Sequence, residues 1–120
     1  MSEIGLDELV RRLEELTVLD VRAPHEYDGS AGAPCDPRQG HIPGARHLQL
    51  EEMMRLGDDE LRGRLGLAEG AEVVAYCHSG TRSALAVQIL TRLGFAARNY
   101  PGSWHEWSRA GLPVEGDGGS

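Results

Sequence analysis

The segment EVVAYCHSGTRSA, residues 72–84, runs from a β-branched stretch through a cysteine into a short polar loop and then into helix-forming sequence. Glu72 to Tyr76 reads as a strand. Downstream, Ala86, Ile89, Leu90 and Leu93 recur at helical spacing, and Gly94 stands where a helix ends in a left-handed residue. Strand, tight loop and helix follow one another, with Cys77 at the carboxyl end of the strand.

Upstream, Leu6, Leu9, Val10 and Leu13 form the apolar stripe of an amphipathic helix over 6–15, and TVLDV (17–21) reads as a buried strand. Residues 22–27 open a helical turn that has Pro24 at its first position. The Gly-, Pro- and Asp-rich stretch 28–40 reads as an irregular surface loop. A short strand is expected over 45–48 and helices near 51–56 and 58–65. Toward the C-terminus, 95–100 reads as a strand, Pro101-Gly102 as a turn, and Ser103 as the N-cap of a short helix carrying Trp104, Glu106 and Trp107.

Alternating strands and helices predict an α/β fold with a central, mostly parallel sheet and helices on both faces. At 120 residues the chain accommodates one domain, taken as 1–114, with 115–120 as a disordered tail. Ligands of such sheets sit at the carboxyl ends of the strands, so DVR (20–22) and CHSGTR (77–82) converge on one candidate site.

Composition narrows the partners. The apolar fraction of 40% and charged fraction of 26% are those of an ordinary globular protein. Nineteen acidic residues against twelve basic ones, all Arg, give a formal charge of −7, which argues against nucleic acid. A small anion remains compatible, because salt screens distant charge over about 8 Å. The sequence has no secretory leader pattern and no long apolar run, so a cytoplasmic protein without a membrane partner is expected. Cys35 and Cys77 lie far apart outside any CxxC pair, which points to reduced thiols rather than a disulfide framework or a zinc site.

A thiol attacks as its thiolate, and a free cysteine with a pKa near ~8.5 is mostly protonated at neutral pH. A helix macrodipole supplies roughly one pKa unit at most. Further activation requires backbone N–H groups turned toward the sulfur, a turn that Gly80 permits, and Arg82 adds a fixed positive charge. The bland alternative is a cysteine that fills core space. A strand-terminal cysteine followed by His78, Ser79, Gly80, Thr81 and Arg82 is poorly suited to that role.

The segments LDVR (19–22), EY (26–27), GHIPGA (40–45), YCHSGTRSA (76–84) and YPGSWHEW (100–107) resemble, in order, the successive motifs of the rhodanese family. The resemblance implies a small α/β domain in which Cys77 accepts a sulfane sulfur as a persulfide and residues 77–82 form the cradle. It implies a small anionic donor such as thiosulfate, a thiol or cyanide acceptor, and no metal or organic cofactor. A protein-facing persulfide carrier in a sulfur relay is the alternative. A non-catalytic module of the same family is disfavoured by the intact cysteine loop. Related phosphatases and arsenate reductases carry a longer Cys-x5-Arg loop, whereas four residues separate Cys77 from Arg82. The shorter loop resembles the form that acts on sulfur.

The resemblance also places Asp20 and Arg22 beside the site. Asp20 reads as a structural partner fixing the first strand's end, and Arg22 either as that or as a loop-positioning group. Glu26 departs from the family's tandem enzymes, where an Arg that helps hold the donor commonly precedes the aromatic; an acid there repels an anion. His78 reads equally as a donor at the loop rim or as a solvated side chain. His25, His41, His47 and His105 lack metal-ligand spacing, and His41 is expected to shape a turn. Trp104 and Trp107 read as core or pocket wall. Cys35 reads as an exposed, incidental thiol, with a resolving thiol or a second sulfur carrier as the alternatives.

Overall fold

A computed structural model describes residues 2–116 of the chain. The elements are α1 (Leu6–Arg11), β1 (Thr17–Asp20), α2 (Pro24–Asp28), β2 (Arg46–His47), α3 (Leu50–Arg55), α4 (Asp58–Leu65), β3 (Glu72–Tyr76), α5 (Thr81–Arg92), β4 (Ala96–Asn99) and α6 (Ser103–Trp107). The four strands form one sheet in the order β2-β1-β3-β4, and every pairing is parallel. The chain steps outward from β1 to β2 and then in the opposite direction from β3 to β4. The reversal therefore falls between β1 and β3, the place where such sheets open a crevice at their carboxyl ends.

Strand side chains alternate between two cores. Val73, Ala75 and Cys77 point with Leu19 and Val21 into a cluster closed by Leu50, Met53, Leu61, Ala86, Val87 and Leu90. Val74, Tyr76 and Val18 point the other way, toward Ile4, Leu9, Tyr100, Trp104 and Trp107. Helices on both faces follow from this division, because a strand with two apolar faces must be covered twice. Both Trp side chains are buried, and their indole N–H groups donate to the carbonyls of Arg38 and Pro113 at 3.0 and 2.9 Å. They belong to the core.

Three expectations change. The regular part of α1 stops at Arg11, although the N–H groups of Glu15 and Leu16 both donate to the Arg12 carbonyl and continue the winding as a turn. Ser103 is not an N-cap. It is the first residue of α6, its φ is +53°, and its hydroxyl is used elsewhere. The tail does not begin at 115, since Glu115 and His41 exchange backbone hydrogen bonds at 2.7 and 3.0 Å. Residues 117–120 of that expected tail lie outside the described residues.

Candidate active site

Strand register builds the site. Asp20 pairs with Tyr76, so the carboxyl ends of β1 and β3 are flush, and the Val21 N–H donates to the Tyr76 carbonyl at 3.1 Å. Beyond Tyr76 the chain leaves the sheet, and its polar backbone groups find partners on α6 and β4. The Cys77 N–H donates to Ser103 Oγ at 3.1 Å, and the Cys77 carbonyl accepts from the Trp104 N–H at 2.9 Å. The His105 N–H donates to the His78 carbonyl, and the Asn99 amide donates to the Gly80 carbonyl. Ser103 completes the clamp by donating to the Tyr100 carbonyl at 2.8 Å.

Gly80 makes the turn with φ of +95° and stands as N-cap of α5. A Cβ at this position would lie 2.9 Å from the Pro101 carbonyl oxygen, so both the backbone angle and the space require glycine. The turn aims N–H groups at the sulfur. Gly80 N lies 3.1 Å from Cys77 Sγ, and the N and Oγ of Ser83 each lie 3.4 Å from it. Burial pushes the Cys77 thiol up, but the Ser83 hydroxyl and the N–H groups of Ser83, Ser79 and Gly80 outweigh it and hold the pKa below its ordinary value. The arrangement can therefore keep an anionic sulfur at the start of a twelve-residue helix.

The flanking charges are distributed differently from the expectation. Arg82 NH1 and NH2 contact Glu26 Oε1 and Oε2 at 2.9 and 3.3 Å, and none of the hydrogen bonds to the sulfur comes from Arg82. Glu26 also accepts from the Ala23 N–H at 3.1 Å. Burial raises the Glu26 pKa, yet Arg82 and the Ala23 N–H together bring it below the usual carboxylate value. Asp20 and Arg22 form a buried pair, with contacts of 2.8 to 3.1 Å, and Arg22 donates to the Gly40 carbonyl as well. The guanidinium is sandwiched near the rings of Trp104 and Tyr76, 5.0 and 5.6 Å away. That geometry ties β1 to the 40–45 turn and gives both residues a positioning place.

His78 is half-buried and contacts Asp36 through Nε2 at 2.9 Å, which brings the 28–40 loop onto the cradle. Arg109 donates to the same carboxylate at 2.8 Å and to the Cys35 carbonyl. Asp36, His78 and His105 hold their ligand atoms within 4.8 Å of one another, but the Arg109 guanidinium already supplies the positive charge facing Asp36. Cys35 is an exposed free thiol, while Ser79 and Thr81 face solvent at the rim. His41 stacks on Tyr27 with ring centroids 3.8 Å apart and shapes the turn before Ile42.

A family model of the rhodanese-like domain matches residues 5–110, nearly the whole chain. The chain belongs to the rhodanese-like family. Among solved structures, a chain provisionally named as a thiosulfate sulfurtransferase is 48% identical with a TM-score of 0.84, over 94% of this chain and 47% of that one. The human single-domain sulfurtransferase is 25% identical with a TM-score of 0.69, over 93% and 99% of the two chains. A Mycobacterium tuberculosis protein, also provisionally named as a thiosulfate sulfurtransferase, is 37% identical over 101 residues. That match covers 78% of this chain and 35% of the relative, so the chain spans about a third of its length.

Sequence reasoning singled out the rhodanese-like loop 77–82 but missed Ser83, Ser103, Asn99 and Asp36. Ser83 was findable, because a residue in the first turn of α5 faces whatever the helix start faces. The other three reach the loop across 26, 19 and 42 residues, and no local pattern marks them.

Proposed function

We propose that the chain is a sulfurtransferase that moves a sulfane sulfur from thiosulfate or a related donor to a thiol or cyanide through a persulfide on Cys77. The observation that carries this reading is the convergence of the Gly80 and Ser83 N–H groups and the Ser83 hydroxyl on Cys77 Sγ, at 3.1 to 3.4 Å. In the first displacement the Cys77 thiolate attacks the outer sulfur of thiosulfate. The donor's S–S bond breaks and sulfite leaves with the bonding pair. In the second, cyanide or a thiolate attacks the outer sulfur of the persulfide, and the Cys77 thiolate returns as leaving group. The same N–H groups stabilise charge on sulfur in both steps.

Loop size supports sulfur rather than phosphorus as the reacting atom. Residues 77–82 close on a single sulfur, and an added tetrahedral oxyanion needs a wider ring of donors. Thiocyanate formation from thiosulfate and cyanide, compared with hydrolysis of an aryl phosphate, tests the reading. Transfer that is lost in Cys77→Ser, with negligible phosphatase activity, supports it. Cys77-dependent phosphatase activity without any persulfide contradicts it.

A further inference from the structure

A cleft of ≈360 Å³ beside the cysteine loop is lined by His25, Glu26, Ala31, Gly32, Ala33, His78 and Arg82. Arg82 is the only guanidinium among these residues, and Glu26 covers it on two oxygens at 2.9 and 3.3 Å. The Glu26 carboxylate is fixed, being 15% exposed in its side chain and bound also by the Ala23 N–H. Behind the lining residue His78, Asp36 accepts from Arg109 as well as contacting His78. The one guanidinium lining the cleft is thus already paired with a carboxylate.

This arrangement discriminates between donors by their leaving groups. Any sulfane donor delivers its outer sulfur to the N–H groups around Cys77. Because the cleft shares His78 and Arg82 with the loop that carries Cys77, the remainder of a donor lying in it would meet Arg82 and Glu26. A sulfonate there adds negative charge next to a carboxylate and must compete with Glu26 for Arg82. A sulfur attached to an uncharged carbon imposes neither cost.

Taking the sulfurtransferase reading as its basis, we infer that Glu26 is a specificity-determining residue that makes an alkyl persulfide, rather than thiosulfate, the preferred donor. The step balances as Cys77–S⁻ + R–S–SH → Cys77–S–SH + R–S⁻. The Cys77 sulfur bonds to the outer sulfur, the donor's S–S bond breaks, and the thiolate leaves with the electron pair. The persulfide group is the shared chemistry, whether R is a small molecule or a cysteine of another protein.

The test uses Glu26→Gln, in which the amide keeps an oxygen to accept from the Ala23 N–H so that the start of α2 is preserved. Thiosulfate, cysteine persulfide and a persulfidated protein cysteine serve as donors, with the rate of Cys77 persulfide formation followed by intact mass. For the wild type, kcat/KM is expected to be higher with a persulfide donor, and comparing the two persulfides shows which source is used. In the variant, the ratio of kcat/KM for thiosulfate to that for cysteine persulfide should rise on the order of tenfold, because one facing charge is removed at close range. Most of the change should lie in KM for thiosulfate, and that KM should become salt-dependent as Arg82 is freed. An unchanged ratio, or a wild-type preference for thiosulfate, overturns the inference while leaving the sulfurtransferase reading intact. A wild type that forms no persulfide with any donor fails that reading instead.

Discussion

The Ser83 hydroxyl lies 3.4 Å from the Cys77 sulfur, in the first turn of the helix that follows the cradle. Together with its own N–H at the same distance, it gives Ser83 two contacts with the sulfur and makes the helix start itself part of the anion site. Both groups are pinned by α5 packing, since Ser83 is fully buried beside Ala86 and Val87. The contacts favour the thiolate over the thiol, which is why the Cys77 pKa lies below its ordinary value despite burial.

Ser83→Ala should therefore raise the Cys77 pKa. A hydrogen bond to a charged group is worth about 1.5–3 kcal/mol, which corresponds to roughly one to two pKa units. The thiolate is the reactive form, so a raised pKa moves the acid limb of the reactivity profile to higher pH. The rate of Cys77 alkylation as a function of pH, in a Cys35→Ser background, reads this directly. An unmoved midpoint would remove Ser83 from the sulfur's environment.

Ser103 combines a left-handed backbone angle with a hydroxyl that accepts from Cys77 N and donates to the Tyr100 carbonyl. Ser103→Ala leaves two buried backbone groups unpaired and retains the strained angle, and is expected to cost about 2–4 kcal/mol. Ser103→Gly loses the same hydrogen bonds but relieves the strain, so urea unfolding should show the glycine variant as the less destabilised of the two. The opposite order would mean that the left-handed angle at Ser103 is not a source of strain.

Asp20→Ala should destabilise the fold by about 3–5 kcal/mol, because it strands the buried Arg22 charge between Tyr76 and Trp104. The expected effect is on the denaturant midpoint, with Cys77 persulfide loading retained in the protein that stays folded. A loss of loading at full stability would place Asp20 in the chemistry instead.

Gly80→Ala places a Cβ against Pro101 at a φ that disfavours side chains, and displaces the N–H nearest to the sulfur. Sulfur transfer should fall at least tenfold while α5 and the sheet persist, as an estimate from losing one preorganised donor. Circular dichroism alongside the transfer assay separates the two effects.

The strands, α5 and the place of Cys77 were legible because each depends on neighbours in sequence. Val73 to Tyr76 carry their burial in their composition, and Ala86, Leu90 and Leu93 carry theirs in helical spacing. The convergence of Asp20 with Tyr76 followed from parallel pairing of two strands whose loops leave at the same end. What was not legible is what crosses the fold. Arg82 reads in sequence as a free cation at the mouth, and only the approach of α2 shows it covered by Glu26. Ser103 reads as a helix cap, since serine before a helix commonly caps it; here its hydroxyl turns back to Cys77 because the chain must satisfy an N–H that has left the sheet.

The proposed reaction requires Cys77 to carry sulfur. Intact mass measured after incubation with a sulfane donor, thiosulfate or an alkyl persulfide, tests it most directly. A gain of one sulfur atom is expected, reversed by cyanide or a dithiol, absent in Cys77→Ser and retained in Cys35→Ser. No gain with either donor, or a gain that persists in Cys77→Ser, would contradict it.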